Sequence, residues 1–217
     1  MKSNPIPFNS VPKVEVLIAD FPATKALFFD MDGTLFNTES LHAEALFKMS
    51  KKYGIIPPHP PEVIYSLMVG KADHLLFEIL KDWEGVPGHL TVESFVKEKN
   101  EHILEILKST PLDSYFSPSV QGLLKELKEH GFYIALVTSS ERLVTDELLK
   151  ITGLDGYFHL ILTRDDCPFH KPDPWPYVKA REISGFAHHE ILIFEDSQVG
   201  IESAIKSGHN VIKVEWY

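Results

Sequence analysis

The stretch Lys25-Ala-Leu-Phe-Phe-Asp-Met-Asp-Gly-Thr-Leu35 opens on a short apolar, aromatic run and breaks into acidic residues and a glycine. A run of this length, bounded by turn-forming residues, suits a strand buried on both faces. The signature returns in Phe132-Tyr-Ile-Ala-Leu-Val-Thr138 and in Ile191-Leu-Ile-Phe-Glu195. Before the first of these, Val120, Leu123, Leu124 and Leu127 share one helical face and Gly131 marks a stop. After the second, Ile201, Ala204 and Ile205 repeat the pattern, with Gly208 as the stop. Phe158 to Leu162 and Asn210 to Val214 read as further short strands. Strands alternating with helices from Ser119 onward imply an α/β fold, a doubly wound and mostly parallel sheet covered on both sides.

Between Thr38 and about Asp113 the period changes. Leu75, Leu76, Ile79 and Leu80, then Phe95 and Val96, then Ile103, Ile106 and Leu107 recur at helical spacing, and no strand pattern stands out. Pro57-Pro-His-Pro-Pro61 and Gly85-Val-Pro-Gly88 are breaks, being poor helix interiors. The expected organisation is therefore an α/β core of residues 25–37 and 114–217, interrupted by a helical insertion over 38–113. Residues 1–24 stand outside it as an extension without an assigned role, with strand character at Val14 to Ile18.

Composition narrows the function classes. With 44% apolar and 24% charged residues in 217, the chain is globular rather than disordered, and long enough for one to two domains of ~150 residues. A net charge of −10, a pI near 5.5 and no Lys/Arg-rich run argue against a nucleic acid or an anionic membrane as the main partner. A small phosphorylated substrate stays compatible, because a site can be positive within an acidic whole. The single cysteine, Cys167, has no internal disulfide partner and builds no Cys/His finger; a structural thiol is expected. The eleven histidines form no HExxH, and His188 and His189 are adjacent rather than on one helical face, so surface histidines rather than zinc ligands are expected. The proline-punctuated start resembles no signal peptide, and no segment approaches the ~20 apolar residues of a membrane helix. A cytoplasmic protein, monomeric or a weak dimer, is the expectation.

In open α/β sheets, ligands bind beyond the carboxyl ends of the strands. The residues there are Asp30 and Asp32 after one strand, Thr138 and Ser139 after another, and Glu195 and Asp196 after a third. With Lys171 from a proline-rich loop they form a coherent set: carboxylates for a hard cation, one ammonium, and hydroxyl and amide donors. Those are parts for phosphoryl transfer. Taken singly, each has an ordinary reading as a turn, a strand-end cap, a solvated lysine or a helix cap. An EF-hand loop fails on spacing, since its glycine stands sixth and Gly33 is fourth from Asp30.

Phe28-Phe-Asp-Met-Asp-Gly-Thr-Leu35, Leu136-Val-Thr-Ser-Ser140, His170-Lys-Pro-Asp-Pro174 and Ile193-Phe-Glu-Asp-Ser-Gln-Val-Gly200 resemble, in order, the four motifs of the haloacid dehalogenase superfamily. The insertion after the first motif is similar to that superfamily's small helical cap, whose opening admits substrate and whose closing shields the reaction. The resemblance implies that Asp30 is the nucleophile, becoming an aspartyl phosphate, and that Asp32 is general acid and then general base. Gly33 would let backbone N–H groups approach the phosphate, Thr138 and the Ser139 amide would grip its oxygens, and Lys171 would neutralise charge. It further implies Mg²⁺ held by Asp30, the Asp32 carbonyl and Asp196, with Glu195 as a more remote or water-mediated ligand. A cation has a clear task there: two unit charges ~4 Å apart interact by roughly 4 kcal/mol at an effective dielectric of 20, so an anionic nucleophile and a phosphate repel.

Asp32 also separates reaction classes. A halide leaves without a proton, and dehalogenases of the superfamily lack an acid at this position, whereas an alkoxide needs one. A phosphomonoesterase is therefore expected, with a phosphosugar mutase of the β-phosphoglucomutase type as the alternative and a non-catalytic phospholigand-binding scaffold as a third reading. Met68-Val-Gly-Lys71 resembles the cap loop that reaches substrate, which makes Gly70 and Lys71 candidate substrate contacts; a helix-joining glycine beside a solvated lysine is the other reading. His42 and Glu39 are weaker candidates of the same kind.

Overall fold

The computed structural model describes residues 5–60, 63, 64, 66 and 73–217. The chain forms two compact units, one of Met1–Asn37 with Leu112–Tyr217 and one of Thr38–Pro111. The first contains a six-stranded sheet of β1 (Ile6–Phe8), β2 (Ala26–Phe29), β3 (Tyr133–Val137), β4 (Leu160–Leu162), β5 (Ile191–Glu195) and β6 (Asn210–Val214). Its order is β1-β6-β5-β2-β3-β4 and every pairing is parallel. β2 lies at the centre, pairing Phe29 with Leu136 on one side and with Phe194 on the other, so three strand ends meet where the acidic residues begin.

Alternation along the strands divides the core. Phe28, Ala135, Val137, Ile191 and Ile193 face one way and pack with Tyr177 and Ala180 of α7 (Trp175–Ser184) and with Ile201 and Ala204 of α8 (Gln198–Lys206). Leu27, Phe29, Ile134, Leu136, Leu192 and Phe194 face the other way and are also fully buried, with the Phe29 and Phe194 rings stacked 4.6 Å apart. A sheet covered on both sides explains why its strands read as continuous apolar runs. Two more helices complete the crossovers, α5 (Pro118–Glu129) before β3 and α6 (Arg142–Thr152) after it.

The first residues differ from expectation. Val14–Asp20 is a helix, α1, not a strand. Val14 and Leu17 are buried while Val16 and Ile18 are exposed, a three-residue spacing that overrides the β-branched composition. The strand is Ile6–Phe8 instead, pairing Ile6 with Ile212 and Phe8 with Val214. The segment before Lys25 is thus part of the sheet. Near the opposite edge, β4 starts at Leu160 rather than Phe158.

The second unit is helical, with α2 (Glu39–Tyr53), α3 (Asp73–Leu80) and α4 (Val92–Ser109) among the described residues. Gly54, at φ +67°, ends α2, and a reciprocal Thr91–Ser94 cap starts α4. Leu46, Met49, Leu76, Leu80 and Phe95 form its core. Among the described residues its only extended pairing is the isolated Ile56–Glu84 bridge. No helix among the described residues is long and apolar enough to cross a membrane.

Candidate active site

The β2–β5 ladder continues one residue past β2, where the Asp30 N–H donates to the Phe194 carbonyl (3.0 Å). This fixes the Asp30 backbone beside the end of β5. Lys171 enters from the loop between β4 and α7 and is buried. Its three ammonium hydrogens meet three acceptors: Asp30 Oδ1 at 2.6 Å, Glu195 Oε1 at 2.6 Å and the Val137 carbonyl at 2.8 Å. The Tyr177 ring lies beneath that ammonium, 4.9 Å from Nζ, and its hydroxyl donates to Glu195 Oε1 (2.7 Å). Ser197, the N-cap of α8, donates to Glu195 Oε2 (3.2 Å) and accepts from the Gly200 N–H (3.0 Å). Both Glu195 oxygens are therefore held by hydrogen bonds, and the residue is fully buried.

Asp196 follows, outside the strand, and accepts from Thr34 Oγ1 at Oδ1 (3.1 Å). Gly33 has φ +77°, and a Cβ there would overlap the Asp196 carboxylate; a Cβ at Gly200 would overlap that of Glu195. Both glycines are thus required for close approach as well as, at 33, for backbone conformation. Asp30, Glu195 and Asp196 each offer an oxygen, all within 4.8 Å of one another.

Asp32 is reached from the other side. Ser140 Oγ donates to Asp32 Oδ2 (2.5 Å), while the Ser140 N–H donates to Thr138 Oγ1 (3.0 Å). The buried Thr138 donates its own N–H to the Leu162 carbonyl (2.9 Å), and Ser139 completes the loop beyond β3. The sequence-derived residues Asp30, Lys171, Glu195 and Asp196 thus form one cluster, and Asp32 joins the Thr138–Ser140 loop through Ser140. Gly70 and Lys71 lie outside the described residues. His42 Nδ1 lies 3.0 Å from Lys99 Nζ, a buried lysine of the helical unit that also donates to Asp73 (2.5 Å).

Charge at the cluster is unbalanced. Burial raises the Asp30 carboxyl well above the ordinary aspartate value, the Glu195 charge adds to this, Lys171 opposes it, and Asp196 raises it further. For Lys171, burial alone would depress the ammonium, yet Asp30 and Glu195 together outweigh it and leave its pKa above the ordinary lysine value. The Tyr177 phenol is pushed up by burial and then by the Glu195 and Asp30 charges, so it stays a donor. Three carboxyl groups meet one ammonium here, a surplus of two acidic groups over the basic one. An all-oxygen donor set with that surplus fits a hard divalent cation. Cys167 is a buried thiol raised to about 11 by burial and the Asp166 charge.

Thr34, Ser140, Ser197 and Tyr177 hydrogen-bond to the acidic residues and were not singled out from the sequence. The first three sit inside the motif stretches, where a hydroxyl beside a carboxylate was an available signal. Tyr177 carried none, since only the packing of α7 against β3 and β4 brings it beneath Lys171.

The profile of the haloacid dehalogenase-like hydrolases matches residues 27–214. The chain is 34% identical over 198 residues to a phosphoglycolate phosphatase of Thiobacillus denitrificans, spanning 88% of this chain and 83% of that protein. It is 30% identical over 188 residues to a phosphorylated carbohydrates phosphatase of Thermotoga maritima, spanning 85% and 82%. Among solved structures, CbbY from Rhodobacter sphaeroides in complex with phosphate superposes with a TM-score of 0.76 at 23% identity, over 88% of this chain and 85% of that one.

Proposed function

The chain belongs to the haloacid dehalogenase-like hydrolases, and we propose that it is a Mg²⁺-dependent phosphatase that releases phosphate from a small phosphomonoester by way of a phosphorylated Asp30. The observation that carries this reading is the buried Asp30 carboxylate, held at Oδ1 by Lys171 (2.6 Å) and grouped with Glu195 and Asp196. One Asp30 oxygen is oriented by the ammonium, and the carboxylate can present the other to phosphorus. Relatives named for phosphoglycolate and for phosphorylated carbohydrates support a small alcohol phosphate as substrate.

The steps follow from the residue chemistry. An Asp30 oxygen attacks phosphorus, and the bond from phosphorus to the ester oxygen breaks. Asp32, protonated at that moment, gives its proton to the leaving alkoxide. Asp32, now a carboxylate, takes a proton from water, whose oxygen attacks the phosphorus of the aspartyl phosphate, freeing inorganic phosphate and restoring Asp30. The Ser140 hydroxyl keeps the Asp32 carboxyl turned toward this loop, and Thr138 with the Ser139 amide grips the phosphate oxygens. Lys171 neutralises charge on the nucleophile throughout. The carboxylates of Asp30 and Asp196 and the Asp32 carbonyl would hold Mg²⁺, with Glu195 behind them. The ion's contribution is to offset the repulsion between the anionic nucleophile and the phosphate. The helical unit Thr38–Pro111, with Gly70 and Lys71, would serve as the substrate-selecting cap.

Phosphate release from p-nitrophenyl phosphate and from a panel of alkyl phosphates tests the reading. Activity is expected to require Mg²⁺ and to vanish in EDTA. Asp32→Asn should slow alkyl phosphates by ~10²–10⁴-fold, because their leaving group needs the proton. It should slow p-nitrophenyl phosphate much less in the phosphorylation step, because nitrophenolate leaves unprotonated. Activity unaffected by EDTA, or isomer formation without free phosphate, contradicts the proposal.

A further inference from the structure

Past β6 the chain returns over the strand ends that carry the acidic cluster. The Glu215 N–H donates to the Phe8 carbonyl of β1 (2.9 Å), which fixes where the segment leaves the sheet. Trp216 then packs its ring near Phe194 (6.2 Å between centroids) and donates its indole N–H to the Thr34 carbonyl (2.9 Å). The Tyr217 hydroxyl donates to the next carbonyl, Leu35 (2.7 Å). Two consecutive aromatic residues therefore grip two consecutive peptides of the turn that follows Asp30 and Asp32.

Thr34 is fully buried and is the donor to Asp196 Oδ1 (3.1 Å). A β-branched side chain has few χ1 choices, so fixing the Thr34 peptide fixes the direction of its hydroxyl. An indole N–H cannot rotate away from its ring, and Trp216 is held by the strand register behind it. We propose that Trp216 is a positioning residue for the cation-binding carboxylate of Asp196, acting through Thr34, with Tyr217 bracing the adjacent peptide. This rests on the reading of Asp30, Glu195 and Asp196 as a Mg²⁺ site. Trp216 touches neither substrate nor any reacting atom. The segment Ile6–Phe8 gains a role too, as the partner that anchors Glu215.

The test is calorimetric titration of Mg²⁺ alone into wild type, Trp216→Phe, Thr34→Val and the double variant. Trp216→Phe keeps an aromatic ring and removes the donor. Partners one shell beyond a metal ligand cost ~10–100-fold in metal affinity when lost, so Thr34→Val should weaken Mg²⁺ by about 10-fold. Trp216→Phe, one hydrogen bond further out, should weaken it by about 5-fold. The double variant should bind no more weakly than Thr34→Val, because both act through one hydroxyl. At saturating Mg²⁺, kcat of Trp216→Phe should stay within about 2-fold of wild type. Unchanged affinity in Trp216→Phe, or a double variant weakened by the product of the two single effects, overturns the inference. If Trp216→Phe does not fold, the isosteric benzothiophene analogue of tryptophan at 216 deletes the N–H alone and gives the same reading. A wild-type protein that takes up no Mg²⁺ overturns the cation site itself, and is distinguished by that first titration.

Discussion

Asp30→Asn is expected to abolish turnover, with kcat falling on the order of 10⁴-fold or more, if Asp30 is the covalent nucleophile proposed above. The same substitution should leave the fold intact and keep or raise the melting temperature in EDTA at pH 7. The second expectation follows from the sign of the Asp30 shift. Its carboxyl is raised by burial and by the Glu195 and Asp196 charges against the pull of Lys171. A carboxyl raised in the folded state contributes most to stability below its unfolded value, ~3.9, and loses that contribution as pH climbs through the folded value. Ionising Asp30 in the folded protein is thus a cost that asparagine avoids, while Glu195 remains to pair with Lys171. Phosphate-release assays beside thermal unfolding separate the two effects. Turnover within tenfold of wild type contradicts the assignment.

Lys171→Met is expected to cause the largest loss of stability. Its ammonium satisfies Asp30, Glu195 and the Val137 carbonyl at once, with side-chain exposure of 4% for Lys171, 10% for Asp30 and 0% for Glu195. Removing one partner of a buried pair leaves uncompensated charge and costs ~3–5 kcal/mol. For a chain of this size that is a fall of roughly 10 °C or more in Tm. Adding Glu195→Gln removes one orphaned charge and should return a substantial part of the stability, without returning activity. Lys171→Arg should not substitute, because a planar guanidinium cannot meet three acceptors that converge on one nitrogen. Differential scanning calorimetry in EDTA at pH 7 reads all four proteins. A Tm for Lys171→Met within ~2 °C of wild type contradicts the account.

Much of this site was legible in the sequence because its chemistry sits at strand ends, and buried parallel strands announce themselves as short apolar runs. Asp30, Glu195 and Asp196 follow directly from reading where those runs stop. The Asp30–Lys171 pair needed more than periodicity, since the partners are 141 positions apart and only the order of motifs joins them. Tyr177 was invisible: helical spacing marks it as core, and its hydroxyl finds Glu195 only after α7 packs on the sheet. Thr34 and Trp216 meet across 182 positions, a contact no local pattern encodes. The first strand was missed because Pro5 and Pro7 flank and interrupt it; proline lacks an N–H, and an edge strand is the place in a sheet where that is tolerated. In α1, Val14 to Ile18 looked extended by composition, and burial of Val14 and Leu17 decided for helix.

In the proposed reaction the Asp30 carboxylate becomes covalently phosphorylated. The most direct test is rapid acid quench of the Mg²⁺-loaded enzyme during turnover of p-nitrophenyl phosphate, followed by borohydride reduction and peptide mass spectrometry. Asp30 should be reduced to homoserine in quenched samples and untouched without substrate. Reduction at Asp32 instead, or an unreduced Asp30 throughout a time course in which phosphate is released, contradicts it.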